Sequence, residues 1–137
     1  MINFFSETLN FSLNNEKSYS TWISNCINKF DFEEGEISYN FLTDEELLQI
    51  NNEALNHDYY TDIITFDLRI GDLISGDIFI SIDRVTENAK IFNVEFETEL
   101  KRVIIHGLLH IIGFNDHTDK QKQEMRKQEE FCITLFM

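Results

Sequence analysis

His106-Gly-Leu-Leu-His110-Ile-Ile-Gly113-Phe-Asn-Asp116-His117 gathers three of the chain's four histidines into twelve residues, beside a glycine able to end a helix. On a helix, residues four apart share a face with Cβ atoms about 5–6 Å apart, so His106 and His110 can reach one metal ion at about 2.0–2.1 Å. Gly113 admits the left-handed backbone that stops a helix, and the chain can then turn back to offer His117 or Asp116 as a third ligand. Three protein ligands on Zn²⁺ leave a position for water, whose pKa falls to about 7, so the spacing points to hydrolysis more than to a purely structural ion. Leu100, Val103, Ile104, Leu108 and Ile111 recur at helical spacing around the pair, which predicts a buried helix carrying the metal site.

Outward from that helix, predicted over Phe96 to Ile112, the remaining elements follow in close order. Thr118-Asp-Lys-Gln121 has the capping-box spacing that starts a C-terminal helix to about Leu135, and Arg84 to Phe92 also reads as helical. Upstream, Thr61-Asp-Ile-Ile-Thr-Phe66 and Gly76-Asp-Ile-Phe-Ile-Ser81 are β-branched and apolar, with a Gly71-Asp72 turn region between them, and predict a strand hairpin. Ile37 to Leu42 reads as a strand, and Thr43-Asp-Glu-Glu46 caps a helix running to about Ala54. A strand within Leu9 to Leu13 and an amphipathic helix from Ser18 to Phe30 complete the pattern. Tyr19, Trp22, Ile23, Cys26, Ile27 and Phe30 form the buried stripe of that helix. A four-stranded sheet packed by several helices is the simplest assembly. The chain has no proline, repeat, low-complexity tract or Gly/Ser linker, so one domain over residues 1–137 is expected.

Composition narrows the function classes. The net charge of −14 argues against indiscriminate attraction to nucleic acid, although eight of the eleven Lys and Arg residues fall between Arg84 and Lys127, the interval that holds the metal motif. No apolar run approaches the roughly 20 residues of a membrane helix, and no secretory signal opens the chain, so a cytoplasmic protein without membrane contact is expected. Cys26 and Cys132 sit on apolar helical positions and read as small buried hydrophobes. Without a heptad repeat or an exposed apolar run, a monomer is expected.

Taken together, these blocks resemble the YbeY family of bacterial endoribonucleases, also described as ribosomal RNA maturation factors. The family signature His-Gly-x-Leu-His-Leu-x-Gly-Tyr-Asp-His is matched by the histidine segment with one extra residue before the closing Asp116-His117. The family's Thr-Asp-Val-Leu-Ser-Phe and Gly-Asp-Ile-x-Ile-Ser strands are matched by Thr61–Phe66 and Gly76–Ser81. The resemblance implies an α+β fold with a mostly parallel small sheet and one zinc ion held by three histidines at the end of a central helix. It also implies cleavage of single-stranded RNA in the maturation of ribosomal RNA at the small-subunit 3′ end and in ribosome quality control. The implied partners are the small ribosomal subunit and its assembly factors.

On this resemblance the metal ligands are His106, His110 and His117, with Asp116 beside them to orient a ligand histidine or accept a proton from bound water. The arginine that family members carry before the Thr-Asp strand is replaced here by Leu55. His57, two residues on, is the candidate to donate to a phosphate or shuttle a proton, since histidine titrates near neutral pH. Arg84, Lys101 and Arg102 are candidates to offset developing negative charge. A metalloprotease also carries His-x-x-x-His, but the glutamate that follows its first histidine as general base is here Gly107, which has no side chain to move a proton. A ribosome-assembly factor with a mainly structural zinc is the reading outside catalysis.

Overall fold

The computed structural model describes residues 1–6 and 11–136. Its elements run β1 (Ile2–Phe5), α1 (Glu16–Lys29), β2 (Glu33–Leu42), α2 (Asp44–Leu55), β3 (Ile63–Asp67), β4 (Leu73–Ser81), α3 (Ile82–Ile91), α4 (Phe96–Ile112) and α5 (Asp119–Thr134). The strands form one sheet in the order β1-β2-β4-β3, with β1 and β4 both parallel to β2 and β3 antiparallel to β4. The α+β class, the mostly parallel four-stranded sheet and the β3–β4 hairpin agree with the expectations from sequence.

One strand lies elsewhere. The N-terminal strand was expected within Leu9 to Leu13, of which Leu9 and Asn10 lie outside the described residues and residues 11–13 are not strand. The strand is Ile2–Phe5, paired with Ile37 to Asn40 of β2. Its end is tied down by the terminal ammonium, which donates to the Gly35 carbonyl at 2.6 Å and pairs with Glu34 at 3.3 Å. A four-residue edge strand carries too little alternation to stand out in a sequence, and these charged contacts are tertiary.

Elsewhere local chemistry and structure coincide. Both capping boxes form, Thr43 with Glu46 at the start of α2 and Thr118 with Gln121 at the start of α5. β2 buries Gly35, Ile37, Tyr39 and Phe41, and β4 buries Ile74, Gly76, Ile78 and Ile80, the period of two that gives a sheet one apolar face.

Helix α4 covers that face and is the centre of the core, touching α3, α5, β3 and β4. Ten of its seventeen residues are buried, so it reads as apolar almost all round. The Tyr39 hydroxyl crosses the core to donate to the Ile104 carbonyl at 3.2 Å. Two glycines set how closely helix and sheet approach. A Cβ on Gly107 would lie 2.9 Å from Ile63 Cδ1 and 3.1 Å from both Ile78 Cγ2 and Thr65 Oγ1, and a Cβ on Gly76 would lie 2.7 Å from Ile111 Cδ1. Gly107 therefore lets the histidine-bearing turn of α4 press against the β3–β4 hairpin. The packed interior extends to α1, where Trp22 donates from Nε1 to the Cys132 carbonyl at 2.7 Å, and both cysteines are buried and free.

Candidate metal centre

His106 and His110 project from the last two turns of α4, which Gly113 ends with φ 127°. Their Nε2 atoms are 3.0 Å apart. The chain then turns back, as the glycine predicted, and brings Asp116 Oδ2 to 3.4 Å from His106 Nε2 and 3.5 Å from His110 Nε2. Two ligand atoms bound tetrahedrally at about 2.0–2.1 Å are separated by about 3.4 Å, so this triangle has the size of one face of a zinc coordination shell. These three residues could hold one metal ion.

The third position of the triangle is taken by Asp116 and not by His117. His117 lines the same cleft but is exposed, and its backbone N–H donates to Gln121 Oε1 at 3.0 Å, next to the same atom's bond to Thr118 N–H. The extra residue in the turn thus places His117 at the start of the α5 cap, where the backbone is committed to Gln121, and leaves Asp116 one step closer to the histidines.

The surroundings of the two imidazoles suit a cation at this point. His106 Nδ1 lies 2.6 Å from Glu129 Oε2, and this contact to a carboxylate engages Nδ1 and leaves Nε2 as the ring nitrogen that faces the triangle. Burial, followed by the neighbouring His106, holds the His110 pKa below its ordinary value, which keeps that imidazole in the neutral form a metal requires. Two converging imidazole nitrogens and a carboxylate oxygen suit a divalent metal ion, so the residues fit the group.

Behind the triangle lies a buried charge network that the sequence analysis did not single out. Glu129, 3% exposed at its side chain, also sits 3.6 Å from Arg102 Nη1. Arg102 is held in its charged form chiefly by Glu99, with contacts at 2.9 and 2.5 Å, and its Nη2 reaches to 3.9 Å from Asp62. Burial pushes the Asp62 carboxyl above the ordinary carboxylate range. A signal for Glu129 was present: with Met125 and Cys132 it falls on the one buried stripe of α5, an acid where an apolar residue belongs.

The three cations considered for charge stabilisation are engaged elsewhere. Arg84 pairs with Asp44 at 3.1 Å, Lys101 Nζ stands 3.9 Å from the centroid of the Phe136 ring, and Arg102 is enclosed by the acids just described. The cleft in front of the triangle has a volume of about 490 Å³ and brings together His57, Leu55, His106, His110, Asp116 and His117.

The fold and site define a small four-stranded α+β domain whose central helix ends in a cleft-facing triangle of His106, His110 and Asp116 that could hold a metal ion. Among such domains the match is to one family: the family model described as Endoribonuclease YbeY covers residues 2–136, and the chain belongs to it. It is 52% identical over 136 residues to the Endoribonuclease YbeY of Flavobacterium johnsoniae, covering 99% of this chain and 97% of the relative. It is 52% identical over 135 residues to that of Christiangramia forsetii, covering 98% and 94%. The solution structure of a Thermotoga maritima protein matches with a TM-score of 0.67 at 27% identity, over 99% of this chain and 89% of that one.

Proposed function

We propose that the protein is a metal-dependent endoribonuclease that cleaves single-stranded RNA in the maturation of ribosomal RNA, with the metal held by His106, His110 and Asp116. The observation that carries this is the triangle itself, three ligand atoms 3.0–3.5 Å apart at the floor of an open cleft. Family membership and relatives named Endoribonuclease YbeY support the substrate class. The further proposal, from the same likeness, is action at the small-subunit rRNA 3′ end and in ribosome quality control. There it would work as a cytoplasmic monomer alongside the small subunit and its assembly factors.

Zinc is the metal proposed; when bound it supplies a polarising charge for a phosphoryl oxygen and a hydroxide source near neutral pH. The chain's own residues do the rest. Glu129 engages His106 Nδ1 and so leaves Nε2 facing the triangle, and Arg102 places its positive charge 3.6 Å from that buried carboxylate. His57 lines the cleft with Nδ1 at 3.0 Å from the Tyr59 hydroxyl, so Nε2 is the nitrogen left to donate to a phosphate or relay a proton. Gly107 serves packing and leaves no acid in the general-base position of a metalloprotease.

Cleavage of a labelled single-stranded RNA by the wild-type protein and by His106→Ala, purified side by side, tests the reading. Loss of cleavage in the variant alone is the expected result. Equal cleavage would mark a contaminating nuclease, and absence in both would favour an assembly factor whose metal is structural.

A further inference from the structure

At the rim of the cleft, His57 and Tyr59 stack their rings with centroids 5.1 Å apart and planes 21° from parallel. Both line the cleft, both are exposed, and Tyr59 retains 56% of its surface. An exposed ring pair on a loop gains little by packing, yet this one is clamped from below. Asn51, 2% exposed at the end of α2, donates from Nδ2 to the Tyr59 carbonyl at 2.9 Å, and its own carbonyl accepts from the His57 N–H at 3.1 Å. Asn56 caps the helix between them in the left-handed region, φ 56°, which asparagine tolerates. One buried residue therefore anchors both ends of the 57–59 segment, and the rings are in place before a ligand arrives.

Charge provides the second observation. Among the residues lining the cleft are Asp62, Asp67 and Asp116, and none is a lysine or arginine. Among the described residues a phosphodiester entering here meets no lysine or arginine in the cleft lining, so affinity there draws on contacts of another kind. Aromatic faces provide such a contact, because every unpaired base has a π-face and stacking needs no charge. The cations stand across the triangle: His106 and Asp116 also border a smaller hollow that carries Lys122 and Arg126.

We propose that the His57–Tyr59 pair is a nucleobase-stacking subsite that holds one unpaired base of a single-stranded RNA beside the His106–His110–Asp116 triangle, which rests on the endoribonuclease reading above. Bases within a duplex have both faces covered by their neighbours, so a platform of this kind admits single strands and excludes paired ones.

The test is fluorescence anisotropy with the protein as purified and a fluorescein-labelled single-stranded oligoadenylate, 2′-O-methylated and checked intact afterwards, against an abasic oligomer of the same length. Tyr59→Ala is expected to weaken oligoadenylate binding on the order of 10-fold while leaving the dependence on salt unchanged, and Tyr59→Phe to bind as wild type. Lys122→Ala is the contrasting variant: it should flatten the salt dependence for both oligomers alike. Wild-type protein that binds oligoadenylate and the abasic oligomer equally, or Tyr59→Ala that binds as tightly as wild type, would overturn the stacking subsite and leave the ribonuclease reading intact. Failure of wild-type protein to bind either oligomer would overturn both. Because Tyr59 is exposed, an unchanged melting temperature should confirm that Tyr59→Ala folds.

Discussion

Replacing Glu129 by glutamine removes one negative charge from the most buried part of the site while keeping its volume and one acceptor oxygen. In the native protein that carboxylate accepts from His106 Nδ1 at 2.6 Å and lies 3.6 Å from Arg102 Nη1, at 3% side-chain exposure. A hydrogen bond to a charged group is worth about 1.5–3 kcal/mol net against about 0.5–1.5 kcal/mol for a neutral one. The difference of about 1–1.5 kcal/mol bears on how strongly His106 Nε2 donates to a metal, so Glu129→Gln should lower zinc affinity about 10-fold. Glu129→Ala, which leaves Nδ1–H without its acceptor and Arg102 short of a counter-charge, should lower it further and cost about 3–5 kcal/mol of stability. Competition for zinc against a chromophoric chelator reads the affinity, and urea unfolding of the chelated protein reads the stability. A glutamine variant that folds normally and holds zinc as tightly as wild type would refute the argument that the carboxylate orients and polarises His106.

Other outcomes follow from the same geometry. Asp116→Ala should lose bound zinc on dialysis while His117→Ala keeps it, measured by metal analysis of the purified variants; the reverse pattern would restore His117 as the third ligand. Gly107→Ala inserts a methyl 2.9 Å from Ile63 Cδ1 and 3.1 Å from Ile78 Cγ2 and Thr65 Oγ1, the last two held on β-branched strand residues, and should destabilise the fold by about 1–3 kcal/mol in urea unfolding. The metal-free protein should lose stability as pH falls below about 6.5, the ordinary histidine value. His110 has its pKa depressed in the fold, so the unfolded chain binds its proton first and acid favours unfolding. Thermal melting in chelator between neutral and mildly acidic pH checks this, and a flat profile would count against it.

Much of this protein was legible along the chain because its cues are local. Helical periodicity located α4 from Phe96 to Ile112, two capping boxes placed the starts of α2 and α5, and the run from His106 to His117 with its glycine stop marked the turn that carries the candidate metal site. Each of these is a relation between residues at most a dozen positions apart. What only the folded chain decided are the relations across it. Which of Asp116 and His117 stands beside the histidine pair turns on a single step of backbone pinned by Gln121, the support of His106 comes from Glu129 twenty-three residues away, and the cleft is bordered by His57 and Tyr59 held on a buried Asn51. Buried ion pairs and register at a turn leave no periodic trace, because burial sets how strongly a charge such as that of Glu129 acts on its neighbours and burial is a property of the packed molecule.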